Sequence, residues 1–286
     1  MECPLANITV HYEVFGEGRP LIALHGWEAD HRFSVGALEP IFEKRSGWKR
    51  IYPDLPGRGK SPGADWITCQ DQVLQVILDF IDNAIPGKRF ALAGMSYGGY
   101  TAQGVVCRRA ELMDGLLLTV PTVERDQTAP VLTAPPPIPL LREPNLTEQL
   151  NPDELAIFRE FEEDLIIQNR TVIQRLKTVI GSQPLQIDEA FLTRLRSSQS
   201  GTKFSFKTRT LPQPFERPTL ILTGRQDKNK AAGYRNVMGI LENYPRATFA
   251  VLDCAGHCLE YEQETLYRAL VGEWLDRMEA APTNQG

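Results

Sequence analysis

The sequence Gly-Met-Ser-Tyr-Gly at residues 94–98 follows an apolar run at residues 89–93 and constrains the fold more than any other segment. Glycines two positions before and after a serine suit a sharp turn from a buried strand into a helix, because side chains there would collide with both elements. Such a turn lifts the Ser96 hydroxyl clear of a sheet and puts the backbone N–H of Tyr97 at a helix N-terminus, where negative charge is stabilised. The pattern predicts a nucleophilic serine. A glycine-rich turn capped by a serine is the alternative interpretation.

Other apolar runs predict further buried strands, and helical spacing of apolar residues between them predicts covering helices. Alternating strands and helices are typical of a mostly parallel sheet with helices on both faces, so we expect an α/β fold. The predicted strands are residues 7–15, 20–24, 50–53, 89–93, 115–120, 219–223 and 248–252, and the predicted helices include 71–83, a helix through 109, and about 264–279.

Residues 121–218 interrupt this alternation. A proline-rich tract at residues 129–139 is incompatible with regular structure, and no strand of the parallel type is expected in the segment. Helical spacing recurs at residues 152–168, 171–180 and 187–196. We predict a core formed by residues 1–120 and 219–286, with residues 121–218 inserted as a helical cap, or lid, over the site.

Length and composition limit the classes of function. A chain of 286 residues can bury a large core, and its net charge of −5 gives no reason to expect nucleic acid or an anionic membrane as a partner. No apolar run approaches the ~20 residues that span a bilayer, and the N-terminal residues lack a signal-peptide pattern. The five scattered cysteines predict reduced thiols in a cytoplasmic protein.

In their order along the chain, the motifs resemble those of the α/β-hydrolase superfamily, in particular its small capped members. Besides the serine turn, the resemblance rests on His-Gly-Trp at residues 25–27, the loop at 54–61, Gly-Arg-Gln-Asp at 224–227 and Ala-Gly-His at 255–257. It covers nearly the whole chain and implies an α/β-hydrolase fold. It further implies a triad in which Ser96 attacks, His257 takes its proton, and Asp227 orients the imidazole.

The resemblance also assigns supporting residues. The backbone N–H groups of Trp27 and Tyr97 would form the oxyanion hole, with His25 and Gly26 holding the loop. The candidates for the substrate pocket are His31, which we expect in the same loop as residues 25–27 and which could face the pocket or solvent, and the aromatic residues Phe158 and Phe161 of the cap. For the two aromatic residues, packing within the cap is the alternative interpretation.

Several assignments leave alternatives open. Asp253, Glu260 and Glu124 compete with Asp227 for the role of the acid, and a carboxylate near His257 would raise its pKa. Cys254 and Cys258 flank His257 in a pattern that superficially suggests metal ligands, but zinc sites usually pair two such clusters and the chain has no second one. We therefore expect no metal. His11 is expected to be structural, and Asp54 to brace its loop.

The implied activity is that of a serine hydrolase acting on an ester, thioester or lactone of a small acyl compound through an acyl-enzyme, without a cofactor. The same triad could instead cleave carbon–carbon bonds or form peracids. A ligand-binding, receptor-like protein with little turnover is the alternative from another class, because a fold does not fix a function. A monomer and a homodimer are both compatible with the sequence.

Overall fold

The computed structural model describes residues 1–124, 139–181, 183–198, 201–229 and 231–280. Within these residues, eight strands form one sheet and two short strands form a separate pair. The strands are β1 (Glu2–Pro4), β2 (Thr9–Phe15), β3 (Arg19–Leu24), β4 (Trp48–Pro53), β5 (Phe90–Met95), β6 (Met113–Thr119), β7 (Leu141–Arg142), β8 (Ile167–Gln168), β9 (Thr219–Gly224) and β10 (Ala247–Leu252).

The large sheet has the spatial order β1-β2-β4-β3-β5-β6-β9-β10. β1 pairs antiparallel with β2 and β2 antiparallel with β4, whereas every pairing from β4 to β10 is parallel. The mostly parallel α/β sheet expected from the sequence is thus present. All parallel strands point their carboxyl ends to the same edge, so the loops after β3, β5, β9 and β10 meet there.

Helices cover both faces of the sheet. Neighbouring residues of β3 face opposite sides: Ile22 packs in the cluster that contains the apolar residues of α2, and Leu21 packs with those of α1 and α10. The helices are α1 (His31–Phe42), α2 (Gln70–Ala84), α3 (Tyr97–Arg109), α4 (Leu146–Gln149), α5 (Pro152–Phe161), α6 (Arg170–Ile180), α7 (Glu189–Ser197), α8 (Tyr234–Met238), α9 (Leu259–Glu262) and α10 (Glu264–Glu279).

The helices α4 to α7 and the pair β7–β8 lie between β6 and β9, and we refer to the described residues between 139 and 218 as the cap. The parallel pair corrects the expectation that no parallel strand occurs in this segment. α5 ends at Phe161, short of the predicted residue 168, because the chain then turns into β8. Residues 129–138 of the proline-rich tract lie outside the described residues.

The cap rests on the core through α6 and α1. The Nη2 group of Arg175 donates a hydrogen bond of 2.8 Å to the carbonyl of Gly36. A Cβ atom on Gly36 would stand 2.3 Å from a methyl of Val179, so only glycine allows this approach. The boundaries of core and cap remain a prediction. In the described part of the chain, no helix combines the length and the apolar character needed to cross a membrane.

Candidate active site

Ser96 sits at the turn between β5 and α3 with φ +52° and ψ −114°, a conformation that L-residues rarely adopt. The flanking glycines make the turn possible: a Cβ on Gly94 would lie 2.5 Å from the carbonyl oxygen of Gly98, and one on Gly98 would lie 2.2 Å from that of Leu24. The Ser96 N–H donates to the carbonyl of Thr119 at 2.9 Å. The turn predicted from the sequence is therefore present, and its serine is fixed from the neighbouring strand.

Ser96, His257 and Asp227 form a continuous chain of hydrogen bonds. Nε2 of His257 lies 2.8 Å from Oγ of Ser96, and Nδ1 of His257 lies 2.8 Å from Oδ2 of Asp227. The other oxygen of Asp227 accepts from the N–H of Asn229 at 2.8 Å, and its carboxylate is fully buried. Asp227 follows β9 and His257 follows β10, so three strand ends bring the three residues together.

The surroundings of His257 make it a stronger base than free imidazole. Burial by itself lowers the pKa of His257, but the charge and hydrogen bond of Asp227 outweigh it, helped by the carboxylates of Asp164 and Glu260, and the pKa rises above 6.5. This arrangement favours transfer of a proton from the Ser96 hydroxyl to Nε2.

The other candidates for the acid do not accept a hydrogen bond from His257. Asp253 accepts a hydrogen bond of 2.8 Å from the side chain of Gln226. Glu260 is 3% exposed, and its Oε2 has no hydrogen-bond partner among the described residues, as is also true of Oε2 of Glu124. Of these carboxylates, only Asp227 bonds to His257.

The loop of residues 25–27 lies beside the serine turn: a Cβ atom on Gly26 would stand 3.7 Å from Cβ of Ser96. The Leu55 N–H donates to Nε2 of His25 at 2.9 Å, so the neutral ring carries its proton on Nδ1 and donates to the carbonyl of Gly26 at 2.8 Å. Burial lowers the pKa of His25 to about 4, which keeps the ring neutral. The rings of Trp27 and Tyr97 meet edge to face, with centroids 4.7 Å apart.

His31 has Asp54 and His11 as close neighbours. It begins α1, not a loop as expected, and its Nδ1 lies 2.8 Å from Asp54, which also lies 3.0 Å from Nδ1 of His11. The ring of His31 borders a cleft of about 500 Å³ between α1 and α6, and the residues lining this cleft include no member of the triad. These are the surroundings of His31 in the structure, and its place in the substrate pocket stays a prediction.

Asp54, His11 and His31 are also the described residues whose ligand atoms come close enough to suggest a metal site, within 4.8 Å of one another. Asp54 already accepts four N–H groups, two from imidazole rings and two from the backbone of His31 and Lys60. Since a carboxylate offers about four lone-pair positions, this arrangement is complete without an ion. It serves to brace the loop after β4, as the sequence predicts for Asp54.

The two aromatic candidates of the cap pack inside it or against the core. Phe158 is 1% exposed and packs with Leu146 and Ile173, so it lies in the interior of the cap rather than on a pocket wall. The ring of Phe161 lies 5.9 Å from that of Phe33 in α1. Among the described residues, no hydrogen bond or ring contact joins either Phe158 or Phe161 to Ser96.

Glu262 is a supporting residue that the sequence analysis did not identify. One oxygen of its buried carboxylate accepts from the N–H of Gly256 at 2.6 Å, and the other accepts from the N–H groups of Ile166 and Ile167 in the cap. Glu262 therefore ties the residue before His257 to the cap. Nothing in the local sequence distinguishes it from the other acids of that segment, because its partners come from residues about 95 positions away.

Comparisons with known proteins identify the fold and the family. A family model described as the alpha/beta hydrolase family matches residues 21–269. The crystal structure of an alpha/beta superfamily hydrolase from Oenococcus oeni PSU-1 is similar over 98% of this chain and 100% of that chain, with 28% identity and a TM-score of 0.82. A thermophilic esterase from Thermogutta terrifontis shares the fold at 18% identity and a TM-score of 0.68, over 97% of this chain and 99% of that chain.

Among curated proteins, the pimeloyl-[acyl-carrier protein] methyl ester esterase of Legionella pneumophila (strain Corby) is 24% identical over 275 residues, which are 94% of this chain and the whole of that relative. The family model covers most of β3, all strands from β4 to β10, the cap and all three residues of the hydrogen-bonded chain, and it leaves out β1 and β2. The chain therefore belongs to the alpha/beta hydrolase family.

Proposed function

We propose that this protein is a serine hydrolase that cleaves a carboxylic ester of a small acyl compound through an acyl-enzyme. The observation that carries the proposal is the hydrogen-bonded chain from Ser96 through His257 to Asp227, with both bonds at 2.8 Å. A serine hydroxyl is a weak nucleophile at neutral pH, and this arrangement is the one that activates it.

The mechanism follows from the positions of these groups. Nε2 of His257 takes the hydroxyl proton as Oγ of Ser96 bonds to the carbonyl carbon, and the carbonyl oxygen becomes an oxyanion. The N–H groups of Trp27 and Tyr97 stabilise this oxyanion, and loss of one such donor costs about 2.7–4 kcal/mol of barrier. His257 then donates its proton to the leaving alcohol. Water, activated by the same imidazole, hydrolyses the acyl-enzyme.

An ester is favoured over other bonds because two of the similar proteins are esterases by name. The relative from Legionella pneumophila is named for a methyl ester, and the structural neighbour from Thermogutta terrifontis is named an esterase. Methyl esters of aliphatic acids are therefore the first substrates to test, with thioesters and lactones beside them.

The test begins with a fluorophosphonate probe, which reacts with activated serines and requires no knowledge of the substrate. Intact mass should show one adduct on the wild-type protein and none on Ser96→Ala or His257→Ala. Ser197→Ala is the matched control, since Ser197 is an exposed serine of α7, and it should be labelled like the wild type.

Turnover is then measured on a panel of methyl esters, lactones, thioesters and substrates with a cleavable carbon–carbon bond. Multiple turnovers on an ester, lost in Ser96→Ala, support the proposal. Absence of an adduct on the folded wild-type protein, or turnover confined to carbon–carbon substrates, would reject it. Labelling without turnover on any compound would favour a ligand-binding protein.

A further inference from the structure

Arg58 occupies an unusual position for a cation. It lies in the loop after β4, and its side chain is fully buried. Its Nε donates to the carbonyl of Trp27 at 2.9 Å, and its Nη1 donates to the carbonyl of Pro56 at 2.7 Å. The guanidinium carbon lies 4.5 Å from the ring centroid of Trp27 and 4.9 Å from that of Tyr97. Arg58 thus contacts both residues of the proposed oxyanion hole.

This charge is not neutralised by an ion pair. Within the described residues, no carboxylate lies at ion-pairing distance from Arg58, and burial of an unpaired charge is costly. Burial lowers the pKa of Arg58 to about 10, although the side chains of Tyr97 and Glu28 favour the charged form. Since this pKa remains well above neutral pH, the guanidinium stays charged, and the aromatic faces supply part of the stabilisation.

The backbone around Arg58 is fixed as well. The N–H of Gly59 donates to the carbonyl of Gln186 at 2.8 Å, and the N–H of Asp188 donates to the carbonyl of Gly57 at 3.0 Å. Both partners belong to the cap. The loop that carries Arg58 is therefore held by the cap on one side and by the Leu55–His25 hydrogen bond on the other.

We propose that Arg58 is a positioning residue for the oxyanion hole: it fixes the backbone and ring of Trp27 and supplies an unneutralised positive charge next to the developing oxyanion. The inference rests on the proposed hydrolase function. An uncharged substrate carbonyl gains little from this charge, whereas the transition state gains more, so removal of Arg58 should lower kcat more than it raises KM.

The test compares Arg58→Met, which retains an unbranched buried chain without charge or donors, with Arg58→Lys, which retains the charge but not the planar fork. On the best ester of the panel, Arg58→Met should lower kcat by about 10- to 100-fold, somewhat less than loss of a direct oxyanion donor, with KM changed less than about threefold. Arg58→Lys should recover part of the lost kcat.

Arg196→Met is the matched control. Arg196 stacks on the same Trp27 ring at 5.3 Å, but it is largely exposed and pairs with Glu28 at the surface. Its removal should leave kcat within about threefold of the wild type, because exposed ion pairs contribute little.

Three results would overturn the inference: kcat of Arg58→Met equal to the wild type, a loss that falls on KM alone, or Arg58→Lys no better than Arg58→Met. If Arg58→Met does not fold, as judged by circular dichroism and thermal melting, Arg58→Gln replaces it as the uncharged variant. Failure of the wild-type protein itself to label or turn over would reject the proposed function instead, so the two failures are distinguishable.

Discussion

Replacing Glu260 by glutamine should change how the stability of this protein depends on pH. Glu260 is 3% exposed, lies in the short helix after His257, and borders a cavity of about 20 Å³, room for one water, together with Thr119 and Tyr267. Its Oε2 has no hydrogen-bond partner in the described part of the chain. Burial raises the pKa of Glu260 from 4.5 to about 7, although the attraction of His257 opposes the rise.

The sign and size follow from proton linkage. Between pH 4.5 and about 7, the unfolded chain has lost the Glu260 proton while the folded protein still holds it, so the free energy of unfolding falls as the pH rises. Each pH unit in this window is worth ~1.36 kcal/mol, which gives roughly 3 kcal/mol in total. Above pH 7 the free energy of unfolding has lost this whole contribution. Glutamine cannot ionise, so the free energy of unfolding of Glu260→Gln should not show this decrease.

Denaturant unfolding at pH 5 and pH 8 measures this difference. The stability of Glu260→Gln relative to the wild type should increase by roughly 2–3 kcal/mol between the two pH values. His257 is present in both proteins, so most of its own titration cancels in the comparison. Glu148→Gln removes an exposed carboxylate of α4 and should show no such trend. A difference between wild type and Glu260→Gln that is the same at both pH values would refute the reasoning.

Four further predictions concern the site and the residues around it. Asp227→Asn should lower kcat on the order of 10⁴-fold at pH 7. In the wild type, the acidic limb of the pH profile of kcat/KM should lie above pH 6.5, because activity is lost as the pH falls through the raised pKa of His257. Asp54→Asn should lower the free energy of unfolding by about 3 kcal/mol at pH 7. Urea titrations should show that this difference from the wild type becomes smaller below pH 4, because the pKa of Asp54 in the folded protein lies well below 3.8. Gly98→Ala should cost more than about 3 kcal/mol in thermal unfolding, since its Cβ meets the Leu24 carbonyl at 2.2 Å.

The parts of the fold that were predictable are those with a strong local signal. Continuous apolar runs gave the long strands of the sheet, and β5 with its turn gave the position of Ser96. The strand β1 was missed because it has three residues and ends in proline, and its pairing with β2 is set by tertiary contacts. α1 was missed too, because it contains Pro40, a residue that is unfavourable inside a helix.

The grouping of Ser96, His257 and Asp227 was predictable for the same reason, because each of these residues follows a recognisable strand. The surroundings of the three residues were not. Phe158 has the apolar spacing of either a pocket wall or a cap interior, and only packing decides between them. Arg58 stands in a glycine-rich loop, where a cation is usually solvated, and its burial depends on Trp27 and Tyr97 from distant segments.

The contacts that hold the cap have a consequence for how substrate preference can change over evolution. Glu262 binds the backbone N–H groups of Ile166 and Ile167, and the loop of Arg58 binds the backbone of Gln186 and Asp188. On the cap side, all four of these groups belong to the main chain: three are N–H groups, which any residue except proline supplies, and one is a carbonyl, which every residue supplies. Exchange of the cap side chains at these four positions, for any residue but proline, therefore leaves these hydrogen bonds in place. This separation allows the substrate-facing surface to diversify while the reacting groups keep their geometry.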